Sequence, residues 1–144
     1  MKPDAVRLDP ASYPFYVDVQ TRESDLDGNR HVNSLSQGLL FREAWGQLQM
    51  TVFGPNPPEG GRRFLVANIT MDYLGEVQYP GTVRIGAAVL RVGATSLTIG
   101  CALFQGGAVC AVCEYTVVHA NGEGSVAIPD DVRERAAAYV LTAR

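Results

Sequence analysis

A short polar segment, Asp25 to Asn33, holds the groups best suited to chemistry. It contains two carboxylates, Asp25 and Asp27, the imidazole of His31 and the carboxamide of Asn33. A carboxylate can serve as a general base or a nucleophile, and an imidazole, with a reference pKa of ~6.5, can transfer a proton near neutral pH. The segment therefore offers the groups needed for acid–base chemistry.

Two regular elements must position this segment. Tyr13 to Thr21 is rich in β-branched and aromatic residues with rough alternation, which predicts a strand. Leu35 to Phe53 carries apolar residues at helical spacing and is followed by Gly54-Pro55, which predicts a long helix and its end. The polar segment thus lies at a strand-to-helix junction, where free backbone N–H groups and the positive end of the helix dipole would stabilise an oxyanion.

The rest of the chain is mostly strand. Residues 54–61 form a loop by composition, and the tail carries Val132, Ala136 and Val140 at helical spacing. The long helix is apolar on more than one side, which is typical of a helix that a curved sheet surrounds. We expect one α+β domain spanning residues 1–144, with an antiparallel sheet wrapped around a long central helix. The four further predicted strands are Leu65–Tyr73, Thr82–Val92, Thr95–Phe104 and Ala108–His119.

Composition excludes several classes of protein. The chain has 144 residues, of which 47% are hydrophobic and 19% charged, as in an ordinary globular subunit that could hide surface in an oligomer. A net charge of −3 argues against a general nucleic-acid binder. No segment approaches the ~18 apolar residues of a membrane span, and the N-terminus lacks the apolar run of a signal peptide. We expect a cytoplasmic protein that does not enter a membrane.

The three cysteines are expected to be free, buried thiols. Cys101, Cys110 and Cys113 are an odd number in a chain without a secretory signal. Cys110 and Cys113 have the spacing of redox or zinc motifs, but a strand would point them to opposite faces, and no second pair completes a zinc site. Because the sequence also contains no Gly-rich phosphate loop and no metal constellation, we expect no bound metal or cofactor.

The motif at the junction resembles that of a known enzyme family. Asp25, Asp27, His31-Val32-Asn33 and Glu43-Ala44 match the pattern of the hot-dog-fold thioesterases, specifically the 4-hydroxybenzoyl-CoA and acyl-CoA thioesterase-like family. Later stretches also look similar, and the resemblance covers nearly the whole chain. It implies a hot-dog fold, an acyl-CoA substrate and a homodimer or tetramer with the active site between subunits. The later stretches are Met71-Asp72-Tyr73-Leu74, Arg91 to Leu97 and Ile128-Pro129.

The resemblance assigns roles to the residues of the motif, each with a structural alternative. Asp27 matches the catalytic carboxylate, a general base or a nucleophile; alternatively it forms an Asx-turn. Asp25 is expected to be a turn or cap residue. His31 would position the water or the thioester or shuttle a proton, or else be a buried histidine bonded to the backbone. Asn33 would bind the carbonyl, cap the helix, or do both.

Positions that depart from the family pattern are candidates for substrate binding. Arg30 replaces a glycine, Ser34 an asparagine and Gln37 an aromatic residue. Arg30 would narrow the site or offer a cation to an acidic substrate or a phosphate. Ser34 and Gln37 also fit a capping box, with Asn33 as the competing cap. The candidates for the coenzyme A phosphates, or else solvated edge residues, are Arg62, Arg63 and Arg91.

For two further residues, a structural role is expected. His119 is expected to be an exposed strand-end residue, and Glu43 a buried polar partner or a dimer contact.

The leading hypothesis is hydrolysis of a small-to-medium acyl or aryl thioester to the free acid and coenzyme A. The alternatives are a non-catalytic acyl-thioester binding protein and a hot-dog enoyl-thioester hydratase. Retention of Asp27 favours an enzyme, and the motif spacing favours the hydrolase.

Overall fold

The computed structural model describes residues 3–54 and 63–143. One long helix and five long strands confirm the predicted order of elements, and a two-residue strand and three short 3-10 turns are added to it. The helices are α1 (Ser34–Phe53) and α2 (Asp130–Ala137). The strands are β1 (Phe15–Gln20), β2 (Arg63–Tyr73), β3 (Thr82–Val92), β4 (Ser96–Gln105), β5 (Ala108–Asn121) and β6 (Gly124–Ser125). The 3-10 turns are Ala5–Leu8, Pro10–Ser12 and Glu23–Asp25.

The strands form one antiparallel sheet in the order β1-β3-β4-β5-β2, with β6 paired to the end of β5. Helix α1 packs against the inner face of this sheet, where apolar residues of both elements form the main core. The helix contributes Leu40, Phe41, Ala44, Leu48 and Val52, all of which are buried. Their spacing keeps them on one side of a 3.6-residue helix, so burial of this stripe accounts for its packing.

The opposite side of α1 and the helix side of β2 remain uncovered. Leu35 is 82% exposed and Leu39 is 57% exposed. Ile69 and Tyr73 are each 49% exposed, although they pair with the core residues Tyr115 and Ala111 and therefore lie on the helix side of the sheet. We call the exposed apolar residues of this region the α1–β2 face; its members are Leu35, Leu39, Val66, Ile69 and Tyr73.

A second apolar cluster covers the outer face of the sheet, which the sequence patterns did not predict. Tyr13 packs there with residues of β3, β4 and β5. The buried guanidinium of Arg7 donates to the carbonyl oxygens of Cys101 and Cys113 and contacts Glu114 at 3.1 Å. A Cβ atom at Gly100 would lie 2.7 Å from a methyl carbon of Leu90 and 3.0 Å from the guanidinium carbon of Arg7, so glycine leaves room for both side chains.

Two predictions about local geometry are wrong. Val140 does not continue α2, because the helix ends at Ala137 and the backbone around Val140 pairs with Val89 of β3. Cys110 and Cys113 do not face opposite sides: both belong to the main core cluster, because the β4–β5 register shifts beside Cys110 and interrupts strict alternation.

The prediction of free, buried thiols is confirmed for all three cysteines. Burial raises the pKa of the Cys113 thiol to about 12 and raises the pKa of Cys101 well above its usual value. These thiols therefore stay protonated and act as small apolar core residues. Among the described residues, no helix has both the length and the apolar character needed to cross a membrane.

Candidate active site

The junction between β1 and α1 contains a tight turn closed by an isolated bridge between Leu26 and Val32. The backbone nitrogen of Asp27 donates to the carbonyl oxygen of His31 at 2.9 Å, and that of Arg30 donates to the carbonyl of Asp27 at 3.0 Å. Arg30 has φ of 63° and is the one non-glycine residue in the described ranges with a positive φ. The glycine that the family pattern carries there therefore suits a left-handed backbone, and Arg30 occupies that position under strain.

The Asp27 carboxylate is exposed and is held by its own turn. Its Oδ1 accepts from the backbone nitrogen of Asn29 at 2.8 Å and from that of His31 at 3.3 Å. The Asx-turn expected as the structural alternative therefore exists. Oδ2 makes no hydrogen bond to the residues that the structure describes, so the turn orients the carboxylate while one oxygen stays available for chemistry.

Asp25 is a turn residue, as expected. Its side chain is buried and accepts from the backbone nitrogen of Arg22 at 3.0 Å and from the Arg22 guanidinium at 2.9 Å. Burial alone would raise the pKa of Asp25, but the hydrogen bonds and charge of Arg22 outweigh it and lower that pKa below its usual value. These hydrogen bonds stabilise the ionised form of Asp25, so its carboxylate is poorly suited to take a proton.

Asn33 is the N-cap of α1, so the capping box at Ser34 and Gln37 is not formed. The Asn33 Oδ1 accepts from the backbone nitrogen of Ser36 at 2.9 Å. Its Nδ2 donates to the carbonyl oxygen of Asp25 at 3.0 Å, and its backbone nitrogen donates to the same oxygen at 2.9 Å. One side chain thus ties the helix start to the turn and keeps one amide N–H for another partner.

The His31 imidazole is half-buried at the edge of the turn and faces the loop that joins β2 to β3. A carboxylate oxygen of Glu76 lies 3.3 Å from its Nε2. The backbone nitrogen of Val32 donates to the carbonyl oxygen of Val77 at 3.1 Å, so the turn and the loop are joined by main chain as well. Sequence reasoning missed Glu76, since nothing in its local pattern connects it with a residue 45 positions earlier.

The first turn of α1 holds two further candidates, which point to different places. Ser34 is exposed, and its carbonyl oxygen accepts from the Tyr73 hydroxyl at 3.1 Å. Gln37 is 5% exposed, and its Oε1 has no hydrogen-bond partner among the described residues. Ser34 therefore lies on the rim beside the end of β2, whereas Gln37 faces the core.

Within one chain, Arg63 and Arg91, two of the candidates for the coenzyme A phosphates, do not lie near the turn. Arg91 lies near the far end of β3 and donates to Oγ1 of Thr98 at 3.2 Å, and Arg63 is the exposed first residue of β2. The two ends of β2 lie roughly 30 Å apart at strand rise. Tyr73, at the other end, contacts the start of α1, whereas Phe64, beside Arg63, stacks on Phe53 at the end of α1. Arg62 lies outside the described residues.

Two structural expectations need correction. His119 is buried, not exposed: it is 2% exposed, its Nδ1 lies 2.9 Å from the carbonyl oxygen of Ala127, and its ring stacks on Phe64. The end of β5 is covered because the chain folds back after it through β6. Glu43 is exposed, so of its two expected roles the buried polar partner is wrong, while the dimer contact stays a prediction.

Among the described residues, no group of three or more His, Cys, Asp or Glu side chains could hold a metal ion.

Comparison with known proteins agrees with this architecture. Residues 40–112, half of the chain, match the model of the thioesterase superfamily. A protein from Pseudomonas aeruginosa strain PAO1 superposes with a TM-score of 0.81 at 27% identity, over 94% of this chain and 97% of that one. A predicted thioesterase from Bacillus stearothermophilus gives 0.81 at 26% identity, over 90% and 98%. No functionally curated protein matches the sequence.

A third similar structure is a thioesterase from Thermus thermophilus complexed with coenzyme A and zinc, with a TM-score of 0.79 at 26% identity, over 88% of this chain and 94% of that one. The fold is therefore the hot-dog fold, and the class is that of a thioester hydrolase. The chain belongs to the thioesterase superfamily. The matched residues begin after the turn, at Leu40, so the roles of Asp27 and its neighbours depend on the geometry of the turn.

Proposed function

We propose that this protein hydrolyses the thioester of a small-to-medium acyl or aryl coenzyme A, giving the free acid and coenzyme A. One observation carries the proposal. The exposed Asp27 carboxylate is fixed by backbone N–H groups directly before the N-terminus of α1, with Oδ2 free of hydrogen bonds to the described residues.

The reaction needs a group that delivers water or attacks the carbonyl carbon, and dipoles that stabilise the developing oxyanion. Asp27 supplies the first as a general base or a nucleophile. The start of α1 supplies the second, because the first N–H groups of a helix have no helical acceptors and carry the positive end of its dipole. Asn33 already caps Ser36, and the other N–H groups of this first turn are the candidates for the carbonyl oxygen.

His31 complements Asp27 in this proposal. Its backbone nitrogen holds the Asp27 carboxylate, while its half-exposed imidazole stands at the edge of the same turn. An imidazole in this position can orient the attacking water or give a proton to the departing thiolate. The turn therefore delivers a carboxylate and an imidazole from residues four positions apart.

The choice of coenzyme A as carrier is supported by the Thermus thermophilus thioesterase, which is similar over most of both chains and was crystallised with coenzyme A. Coenzyme A carries a pyrophosphate and a 3′-phosphate, which guanidinium groups bind well. Arg30 is exposed within the turn, where its guanidinium could meet an acidic group of the substrate.

The proposal includes a homodimer, which the uncovered α1–β2 face supports. Strand β2 is one of the two edge strands of the sheet, and its helix-side residues Ile69 and Tyr73 are half-exposed. An unpaired apolar edge is a liability that pairing with a second copy removes. Two-fold antiparallel pairing of β2 would set the start of one strand beside the end of the other. Arg63 of a second copy would then approach the Tyr73 end of β2, which contacts the start of α1, and with it the turn.

Release of free thiol from a panel of neutral, aromatic and carboxylated acyl-CoAs tests the proposal. We expect turnover of at least one small-to-medium or aryl substrate, and the most active one defines the acyl pocket. Melting of the protein with each acyl-CoA, measured in parallel, detects binding. Melting shifts without any thiol release would identify an acyl-thioester binding protein and would overturn the hydrolase.

A further inference from the structure

Glu76 lies outside the motif that defines the site, yet its carboxylate contacts the His31 imidazole. Its oxygen is 3.3 Å from Nε2, and no other acidic side chain in the described ranges comes within salt-bridge distance of that imidazole. Asp27 reaches His31 only through the backbone nitrogen. The turn therefore holds the His31 main chain, and the β2–β3 loop supplies the carboxylate that contacts its imidazole.

The loop that carries Glu76 is anchored firmly enough to act as a support. On its first side, the backbone nitrogens of Leu74 and Gly75 donate to the carbonyl oxygen of Cys110 at 2.8 and 3.0 Å. The thiol of Cys110 lies 3.5 Å from the carbonyl oxygen of Glu76 itself. On the other side, Val77 is fully buried and accepts from Val32. The main chain of Glu76 is thus fixed on both sides, which limits where its carboxylate can reach.

We propose that Glu76 is a positioning residue: its carboxylate holds the His31 imidazole so that Nδ1 is presented to the substrate. In a neutral imidazole one nitrogen carries the proton and the other accepts. A carboxylate next to Nε2 favours the tautomer with its proton there, which leaves the lone pair on Nδ1. This inference rests on the proposed function, because it assigns Nδ1 to the water or thioester that Asp27 activates.

The contact is too exposed to serve the fold. The Glu76 side chain is 64% exposed and that of His31 is 36% exposed. Ion pairs in such surroundings contribute about 0–1 kcal/mol to stability, so removing the charge of Glu76 leaves the protein folded. Its main-chain contacts, which a change at the side chain preserves, keep the loop in place.

The tautomer of the His31 imidazole can be measured without any substrate. The chain has two histidines, so its imidazole spectrum contains only His31 and His119. The ¹⁵N shifts of both rings are compared in the intact wild-type and variant proteins, at a pH above which the signals no longer change. Glu76→Gln is expected to move the Nδ1 and Nε2 signals of His31 towards the other tautomer and to leave those of His119 unchanged. Unchanged His31 signals would overturn the proposal, whether or not any thioester is hydrolysed.

Kinetics test the same residue through the reaction. Glu76→Gln is expected to lower kcat on the most active acyl-CoA by about tenfold with KM nearly unchanged, as for other partners that orient a functional imidazole. In a His31→Ala background the same change should have no further effect, because its influence passes through His31. A full additional loss there would overturn the proposal.

Two controls complete this test. Glu123→Gln, an exposed carboxylate at the β5–β6 turn, should leave kcat unchanged. Glu76→Asp keeps the charge and should retain more activity than Glu76→Gln; equal losses would contradict a role for the charge. If the wild-type protein released thiol from no acyl-CoA, the proposed function would fail. The ¹⁵N measurement would still test whether Glu76 sets the tautomer of His31.

Discussion

Two hydrogen bonds join Asp27 and His31, one between main-chain atoms and one from the main chain of His31 to the side chain of Asp27. The Asp27 nitrogen donates to the His31 carbonyl at 2.9 Å, and the His31 nitrogen donates to Asp27 Oδ1 at 3.3 Å. The Asp27 carboxylate and the His31 main chain therefore share one small unit, whereas the His31 imidazole contacts Glu76 of the β2–β3 loop. Such pre-organisation is what a reaction that develops charge requires, because no reorganisation is left for the transition state.

The first prediction concerns Asp27. Asp27→Asn keeps the shape of the turn and the Oδ1 acceptor but removes the charge, so it is expected to lower kcat by about 10²-fold or more on every active acyl-CoA. Its melting temperature should stay close to that of the wild type. Asp27→Ala should lose as much activity and some stability, because two backbone N–H groups lose their acceptor. Near-normal turnover by both variants would remove Asp27 from the mechanism.

A second prediction separates backbone strain from charge at Arg30. Arg30→Gly relieves the left-handed conformation and is expected to stabilise the protein by about 0.5–1 kcal/mol, because a left-handed residue with a Cβ costs roughly 1–2 kcal/mol and glycine entropy offsets part of that gain. Arg30→Ala removes the same charge but keeps the strain, so it should not stabilise. Unfolding in denaturant measures both, and equal stability of the two variants would contradict strain at this position.

The same pair of variants tests Arg30 as a substrate-binding residue. If its cation faces the acyl group, both variants should raise kcat/KM for neutral acyl-CoAs relative to carboxylated ones, because both lose the cation. A uniform rise in KM with weaker salt dependence would instead locate the cation at a coenzyme A phosphate. An unchanged profile in both variants would leave Arg30 without a role in binding.

The order of elements and the site motif could be predicted from the sequence because both are local. Periodicity gave the five long strands and α1, and the polar residues between β1 and α1 do form one turn. The helix cap shows the limit of this approach. Ser34-x-x-Gln37 and Asn33 both satisfy the local rules, and the choice depends on where Asp25 presents its carbonyl to the Asn33 amide.

Features that depend on contacts between distant segments could not be predicted. Glu76 meets His31 only because β2 delivers its loop beside the turn, and His119 is buried only because the chain folds back over β5. An arginine is usually expected to be solvated, yet Arg7 is buried where the N-terminal segment packs against β4 and β5. No local pattern carries such information, since each case requires the register of the sheet.

A third prediction uses the pH dependence of Asp25. Because Arg22 lowers the pKa of the folded carboxyl below its usual value of 3.8, ionised Asp25 stabilises the fold above that pH, and the stabilisation is lost as pH falls through the lower folded pKa. Asp25→Asn should therefore cost about 1.5–3 kcal/mol at neutral pH, the range for hydrogen bonds to a charged group, and less in acid.

Denaturant unfolding of wild type and Asp25→Asn at neutral pH and at about pH 3 measures that difference. Glu134→Gln, an exposed carboxylate on α2, is the matched control and should change stability little at either pH. A cost for Asp25→Asn that does not shrink in acid would show that packing, not charge, makes Asp25 important.

The last prediction concerns assembly through the α1–β2 face. Ile69 is half-exposed on the helix side of the edge strand β2, so in a dimer paired through β2 it would be covered. We expect the wild-type protein to sediment as two copies of the 15.5 kDa chain at micromolar concentration. Ile69→Lys should shift it towards the monomer, because pairing would bury an uncompensated charge.

Ala108→Lys adds the same charge at the exposed β4–β5 hairpin and should leave the dimer intact. Activity should fall with dissociation in Ile69→Lys and stay normal in Ala108→Lys, because the proposed site lies between subunits and needs Arg63 of the second copy. A wild-type monomer, or an Ile69→Lys dimer as stable as the wild type, would contradict pairing through β2. A fully active Ile69→Lys monomer would instead confine the whole site to one chain, with the turn around Asp27 acting alone.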